Sequence, residues 1–225
     1  MSERSRTPLL AVVVAAAAVA IGLIGRSRRQ FRRRDSSSAD TGFMRAMHDA
    51  FRRDLARLDD GETERWDNFR RQLELHHGAE DDDLWPTLRE TIDDDLLDSM
   101  IAEHATIPDA LAAVDDAITR HQPTEAALTE LRQLVLAHLE HEESAVLPLI
   151  ERRVTHGQWR LWLLLERSKR PRAEQLDFLA WLLDGASQED RSAVLAEFPP
   201  VGRIAYRRIV APIHQRATAR SAARP

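Results

Sequence analysis

Apolar residues between Phe43 and about Arg153 recur at steps of three and four positions, and no stretch there alternates apolar with polar residues. This spacing puts the apolar side chains on one face of an α-helix, whereas a half-buried strand needs a spacing of two. Polar joints at Asp60-Gly61, Asp93 to Asp95 and His121 to Pro123 divide the stretch into four amphipathic segments. Four such helices with short connections favour an all-α, up-down-up-down four-helix bundle, which we expect over residues 36–156.

Histidines and glutamates interrupt the apolar faces of these predicted helices. At 100° per residue, His138 and Glu142 fall in the middle of the apolar face of the fourth segment, four residues apart and therefore one above the other. His104 lies within the apolar face of the third segment, and His48 lies towards the edge of the first. An unpaired imidazole or carboxylate in a bundle core is costly, so a partner must satisfy these groups.

The second segment repeats the fourth. HHGAEDDDLWP, residues 76–86, aligns with HLEHEESAVLP, residues 138–148. The alignment matches His76 with His138, Glu80 with Glu142, and Pro86 with Pro148. In each half, a single histidine on the preceding helix, His48 or His104, completes the set.

Bundle proteins build di-metal sites from His and carboxylate side chains that project inward from helices. Four imidazoles and two carboxylates exceed what one tetrahedral zinc ion can use, and they suit a pair of iron or manganese ions. The structural alternative for the same six residues is a polar network without metal.

The composition excludes several other classes of site. The chain has no cysteine, which excludes disulfides, Cys-ligated zinc, iron–sulfur clusters and thiol catalysis. A net charge of −5 argues against broad nucleic-acid binding. The sequence also lacks a phosphate-binding loop, a nucleophile motif and a nucleic-acid-binding module.

Six residues carry a resemblance to the hemerythrin-like (HHE) cation-binding domains, from His48 to about Ile150. They are His48, His76, Glu80, His104, His138 and Glu142. The resemblance implies a four-helix bundle with a bridged non-haem di-iron centre, two iron ions per chain. It makes the four histidines terminal ligands and the two glutamates bridging ligands. It also implies a small ligand such as O2, NO or peroxide, which the protein would bind or sense.

The sequence departs from the oxygen-carrying type of this family at two positions. Pro108 stands where that type has a second histidine on the third helix, and a proline there predicts a kink close to the metals. On the fourth helix the pattern is His138 with Glu142, while Glu143 occupies the place of that type's aspartate. These differences favour the ferric state and therefore a sensor, or alternatively a redox enzyme that decomposes peroxide or another small oxidant. A metal-free, membrane-tethered helical scaffold is the third possibility.

Several other polar residues near the repeat are weaker candidates. His77 has the same spacing to Asp81 as His76 has to Glu80, but the repeat favours His76 because Leu139 matches His77. We therefore expect His77 to be an outer or surface residue, without excluding it as a ligand. His141 is expected to face solvent, Asp82 and Asp83 to form a solvated acidic face, and His121, His156 and His214 to take no part in the site.

An uncharged run of seventeen residues, LLAVVVAAAAVAIGLIG, occupies positions 9–25. With the two residues before it, a helix of this length spans about 28 Å, just enough to cross the apolar core of a bilayer. Six arginines follow between Arg26 and Arg34, which by the positive-inside rule keeps the following domain in the cytoplasm. Residues 1–35 are therefore predicted to be a single-pass membrane anchor. A cleaved signal peptide and an alanine-rich helix that does not insert are the alternatives.

Residues 157–225 form a predicted helical C-terminal extension. Its features are an apolar turn from Trp159 to Leu165, a helix near Ala173 to Leu183, a capping box at Ser187 to Asp190 opening a helix to Phe198, and a basic helix after Pro199-Pro200. We expect these helices to pack on the bundle or on a neighbour. A surface for a protein partner, whose identity the sequence does not give, and a lid over the bundle are the alternatives.

Overall fold

The computed structural model describes residues 37–198 and Arg203. The helices of this part are α1 (Gly42–Asp59), α2 (Trp66–Ala79), α3 (Trp85–Leu88), α4 (Asp94–His104), α5 (Ile107–Thr119), α6 (Glu125–His141), α7 (Leu147–Arg153), α8 (His156–Lys169), α9 (Arg172–Leu183) and α10 (Gln188–Ala196). A 3-10 turn, Thr63–Arg65, leads into α2. Two π-helical turns, Glu80–Leu84 and Glu142–Val146, join α2 to α3 and α6 to α7 without a break.

The described residues are all-helical, as the apolar spacing predicts. Their β-type pairing is limited to an isolated antiparallel bridge between Ser38 and Thr155. The predicted membrane anchor, its arginine block and the predicted basic helix after Pro199 lie outside the described residues. Within residues 37–198, none of the helices combines the length and the apolar composition that crossing a membrane requires.

The core of the bundle lies between α1, α2, α4, α5 and α6. Helix α6 packs against α1, α4 and α5, and α1 also packs against α2. Phe51 and Phe69 are fully buried and meet edge to face, with their ring centroids 6.0 Å apart. Burying a side chain of this size contributes roughly 1.5–3 kcal/mol, so these aromatic residues fix how α1 sits on α2.

The two π-helical turns follow from the duplicated prolines. Pro86 and Pro148 lack an N–H, and in a regular helix their rings would clash with the carbonyl four residues earlier. The hydrogen-bond ladder widens just before each proline: Trp85 donates its backbone N–H to the carbonyl of Glu80, and Leu147 donates to that of Glu142, each five residues back. Such turns are frequent at functional sites. Here each one begins at a glutamate that the sequence predicts as a ligand.

The C-terminal extension shares the core of the bundle. Helices α9 and α10 both pack against α1. Trp181, Leu182 and Val194 are buried in the same apolar cluster as Phe51, whose ring lies 5.3 Å from that of Trp181. The capping box that the sequence predicts is present, because Ser187 and Asp190 each bond the other's backbone N–H. The described part of the extension is therefore built onto the bundle.

An arginine of α1 caps the C-terminal end of α9. Arg53 donates to the carbonyl of Leu182 at 2.9 Å and to that of Asp184 at 3.1 Å. The last carbonyls of a helix have no partner within the helix and carry its partial negative charge, so a cation there stabilises the end. The chain then turns at Gly185, whose φ of +69° disfavours other residues.

Asp54 of α1 is hydrogen-bonded to the indole of Trp181 in α9. Trp181 Nε1 donates to Asp54 Oδ2 at 2.6 Å, and both side chains are buried. Burial raises the pKa of Asp54, although the Trp181 hydrogen bond and the nearby cations Arg65 and Arg57 act in the opposite direction. The raised pKa means that the ionised carboxylate costs stability above that pKa, and this cost disappears as the pH falls through it.

We expect Asp54→Ala to lower the free energy of unfolding by about 1–3 kcal/mol, because the buried indole N–H would lose its acceptor. Asp54→Asn keeps an acceptor oxygen and should cost much less. Urea unfolding of the three proteins at neutral pH measures both effects. The difference in free energy of unfolding between the parent and Asp54→Asn should then narrow as the pH is lowered, since Asp54 becomes neutral like the asparagine. Equal losses in the two variants would contradict this account of the contact.

Candidate metal centre

Seven buried histidines and glutamates converge in the interior of the bundle. They are His48 on α1, His76 and His77 at the end of α2, Glu80 and Glu142 at the start of the π-helical turns, His104 at the end of α4, and His138 on α6. Each of the seven residues is less than 8% exposed. All six residues that the sequence singles out are brought together here, and His77 joins them.

The seven side chains fall into two groups, each able to hold a cation. The first contains His48, His76, Glu80 and Glu142, and the second contains His77, His104 and His138. Within each group, one nitrogen or oxygen atom per residue lies within 4.8 Å of all the others. Ligand atoms around one ion at about 2.1 Å lie up to about 4.2 Å apart, so an ion would draw them in only slightly.

In the first group, lone pairs face one another without forming hydrogen bonds. His48 Nε2 lies 3.1 Å from Glu142 Oε2, but the pair does not have hydrogen-bonding geometry. Both carboxylate oxygens of Glu80 and of Glu142 are buried without a hydrogen-bond partner among the described residues, and so is Nε2 of His76. Buried polar atoms are seldom left in this condition, which points to a cation as their partner.

The second group also contains buried lone pairs that face one another. His104 Nε2 and His138 Nε2 are 3.0 Å apart. Each of these rings also holds a carboxylate through Nδ1: His104 bonds Asp81 at 2.8 Å, and His138 bonds Glu103 at 3.0 Å. A neutral imidazole that donates through Nδ1 carries a lone pair on Nε2. Two lone pairs at 3.0 Å repel, so this pair of nitrogens needs a cation or a shared proton.

Glu80 connects the two groups. Its Oε1 is 3.3 Å from His76 Nδ1 in the first group, and its Oε2 is 3.5 Å from His104 Nε2 in the second. A carboxylate placed in this way can give one oxygen to each of two neighbouring ions. The position of Glu80 therefore fits the bridging role that the resemblance implies for it.

Three carboxylates around the centre orient the histidines. Asp81 and Glu103 hold His104 and His138, as described above. Glu143 accepts from His48 Nδ1 at 2.9 Å and from Arg52 at 2.8 Å. Outer carboxylates of this kind fix the tautomer of a ligating histidine and raise its basicity. The structure thus places Asp81 and Glu143 beside two candidate ligands, on the Nδ1 side of His104 and His48.

The structure places His77 in the interior of the bundle, so the surface position that the sequence allowed for it is wrong. His77 is 7% exposed, and its ring stacks on that of His104 with centroids 4.1 Å apart. Its Nε2 has no hydrogen-bond partner among the described residues. Helix α2 is covered on both of the faces that carry His76 and His77, so adjacent histidines enter different groups. The available signal was that each has a carboxylate four residues later.

The other polar residues near the repeat are arranged largely as expected. The side chain of His141 is 38% exposed and bonds Glu103 at 2.7 Å. Asp82 is exposed, and Asp83 pairs with Lys169 outside the centre. Helix α4 ends at His104, and α5 begins at Ile107 with Pro108 as its second residue. Where the sequence predicts a kink near Pro108, two turn residues therefore separate two helices.

The pKa values inside the centre favour the charged form of one group and the neutral form of others. Burial lowers the pKa of His48, but Glu142 and Glu143 outweigh it and raise the pKa to about 9. Burial and the neighbouring histidines lower the pKa of His76 and of His77 well below the usual range. Burial, with Glu142 nearby, raises the pKa of Glu80 well above its usual range. Neutral imidazoles beside buried carboxylates are the forms that bind metals, and a divalent cation would satisfy both.

A comparison with protein-family models matches residues 39–150 to the hemerythrin HHE cation-binding domain. Over these residues, the chain belongs to the hemerythrin family. The match lies within the range predicted for the bundle and includes all seven residues of the centre. Comparisons with curated proteins and with solved structures found no match. The family and the two His/Glu groups together indicate a metal-binding site in this hemerythrin domain.

We expect His138→Ala and Glu142→Ala to lose bound metal, because each removes a donor from the buried centre. The stability gained from metal binding should fall with the metal content. Metal analysis of the purified variants, together with their melting temperatures, measures both effects. His156→Ala is the control, since His156 begins α8 outside both groups. Equal metal content in all three variants would refute the assignment of ligands.

Substitution of an outer carboxylate should weaken metal binding less than substitution of a ligand. We expect Asp81→Asn and Glu103→Gln each to weaken metal binding by about 10–100-fold without abolishing it, because the ligating rings remain but lose their orienting partners. Competition with a chelator of known affinity measures the change. His141→Ala is the matched control for Glu103, because it removes the other histidine that Glu103 holds. A loss as complete as that of His138→Ala would instead make the carboxylate a direct ligand.

Proposed function

We propose that this protein is a non-haem di-iron protein that binds or senses a small ligand such as O2, NO or H2O2. The observation that supports this most strongly is the pair of adjacent donor groups joined by Glu80. Five imidazoles and two carboxylates are too many donors for one tetrahedral ion. Two ions per chain, held in a four-helix bundle, account for all of them.

The type of donor favours iron. Imidazole and carboxylate ligands without thiolates suit iron, and manganese and zinc are the alternatives. Bound at such a site, iron supplies the capacity to take up or reduce oxygen, peroxide or nitric oxide. Five histidines, His48, His76, His77, His104 and His138, would act as neutral donors, and Glu80 and Glu142 as ionised donors. Bound ions would replace the proton that His48 and Glu80 otherwise favour.

Aromatic walls help to keep bulk water away from the centre. Trp85 is fully buried, with its ring 6.4 Å from that of His104. Phe51 is also fully buried and lies 5.3 Å from the ring of His76. Low polarity around a site strengthens the electrostatic attraction between the ions and their carboxylates. It also limits access to small ligands that can shed their water.

The membrane anchor is a separate part of the proposal. It rests on the apolar run at residues 9–25 and on the six arginines that follow it. Residues 1–35 would hold the bundle at the cytoplasmic surface of a membrane. Extraction of the full-length protein from membranes at high pH tests this: an anchored chain stays with the lipid, whereas a cleaved or non-inserting segment releases it.

The function is tested by loading the full-length chain with ferrous iron in the absence of oxygen. Iron should bind at about two ions per chain. The visible spectrum is then recorded while oxygen, and afterwards peroxide, is added. A new band that is reversed when oxygen is removed supports a binding or sensing role. Rapid irreversible oxidation with loss of peroxide indicates a redox enzyme instead. Absence of stoichiometric iron would leave the metal-free scaffold and reject the proposal.

Single histidine variants should show that each of the two groups holds one of the two ions. We expect His77→Ala to reduce the iron content towards one ion per chain, because only the second group loses a donor. His48→Ala should likewise deplete the first group. Iron analysis at limiting and at saturating ferrous iron measures this. If His77→Ala retains two tightly bound ions, His77 is an orienting residue and the second group has fewer ligands.

A further inference from the structure

A large cavity lies between α2 and the C-terminal extension. Its volume is about 590 Å³, and the ring of His76 forms part of its wall. Small-molecule sites in proteins have volumes of roughly 300–1,000 Å³, whereas a water molecule occupies only about 30 Å³. The cavity is therefore far larger than a diatomic ligand or peroxide requires, and its size matches an organic molecule.

Part of the cavity lining is apolar and rich in aromatic rings. Phe43 and Met47 of α1, Trp162 of α8, Leu179 and Phe198 all line the cavity. The indole N–H of Trp162 is buried and has no hydrogen-bond partner among the described residues. Flat apolar walls with a free donor suit an aromatic ligand that carries an acceptor.

Two of the cationic side chains on the cavity are already neutralised. Arg71 pairs with Glu174. Lys169 pairs with Asp83 and, at 2.8 Å, with Glu166. Each of these two cations therefore already has a carboxylate partner, so neither requires a ligand.

Arg167 and Arg170 differ from these two. The guanidinium of Arg167 lies 5.1 Å from the centre of the Phe198 ring, and that of Arg170 lies 4.2 Å from the centre of the Phe178 ring. Arg170 donates to the amide oxygen of Gln72 at 3.0 Å. No carboxylate of the described residues lies within ion-pair distance of either guanidinium.

The acidic groups nearest to these two arginines have other partners. Glu197 pairs with Arg160 at 3.2 Å, and Glu166 pairs with Lys169. Burial lowers the pKa of Arg167 and of Arg170, although arginine stays cationic in proteins. Two other carboxylates line the cavity: Glu74 pairs with Arg70, and Asp82 is exposed to solvent. Two partly desolvated cations without an ion-pair partner are complementary to an organic anion.

We propose that this cavity binds an aromatic carboxylate, with the acid group between Arg167 and Arg170 and the ring against Phe43, Met47 and Trp162. The guanidinium groups supply charge-assisted hydrogen bonds to the carboxylate, and they already lie over the rings of Phe198 and Phe178. The bound molecule would lie next to the ring of His76, on the side of α2 that faces the extension. This site is independent of the metals, because none of its proposed contacts is a metal ligand.

The test is calorimetric titration of the full-length chain with two probes of the same shape. 1-Naphthylacetate carries the anion, and 1-naphthylacetamide is its neutral counterpart. We expect the acid to bind at least about tenfold more tightly than the amide, because only the acid forms the charged contacts. Arg167→Gln and Arg170→Gln should each weaken binding of the acid by about tenfold and leave the affinity for the amide unchanged. Circular dichroism confirms that these variants are folded.

Two further variants serve as controls. Arg132→Gln removes a surface arginine that pairs with Asp59 away from the cavity, and it should leave both affinities unchanged. Leu164→Gln alters a leucine of α8 that is 51% exposed, and it should do the same. If Leu164→Gln weakens the acid while the two cavity variants do not, the probe binds the outer face of α8 and the proposal is wrong.

The remaining outcomes are also decisive. Equal affinity for acid and amide, or no binding of either probe, overturns the proposal. The titration is repeated after the metal has been removed with a chelator. Unchanged binding of the acid supports a site separate from the ions. Loss of binding that depends on the metal but not on Arg167 or Arg170 means that the acid coordinates metal, which also overturns the proposal.

Discussion

The buried lone pairs at the centre of the bundle are the constraint on which the rest of the structure depends. His104 and His138 present Nε2 atoms to each other at 3.0 Å, while each holds a carboxylate through Nδ1. Such an arrangement is repulsive unless a positive charge lies among the nitrogens. Glu80 and Glu142 add buried oxygens without hydrogen-bond partners among the described residues. The interior is therefore suited to hold cations, and the buried aromatic residues beside it limit the access of water.

The C-terminal extension is connected to this centre through shared packing. Trp181 of α9 lies against Phe51, and Phe51 lies against His76, with both pairs of rings 5.3 Å apart. Arg53 caps the end of α9, and Asp54 accepts from Trp181, so α1 carries both a metal-centre histidine and the anchor points of the extension. The same extension closes one side of the 590 Å³ cavity. A ligand in that cavity would lie between α2 and the extension, next to the ring of His76.

Much of the fold and of the site could be predicted from the sequence. Spacing of three and four in the apolar residues predicts helices because it matches the helical turn. The duplicated His-x-x-x-Glu pattern predicts two ligands on one face because residues four apart lie one above the other. By contrast, the π-helical turns at Glu80 and Glu142 were not predicted, although Pro86 and Pro148 cause them. A proline indicates that the hydrogen-bond ladder must change, but it does not show whether the helix ends or widens.

The sequence by itself determined the helical class, the six candidate donors and the absence of thiol ligands, because these depend on residue type and on spacing within one helix. Tertiary structure decided what depends on contacts between helices. It placed His77 in the second group, since neighbouring helices cover both faces at the end of α2. It turned Asp81, Glu103 and Glu143 towards the Nδ1 atoms of the histidines. Residues far apart in the chain form these contacts, and helical periodicity carries no information about which helices meet.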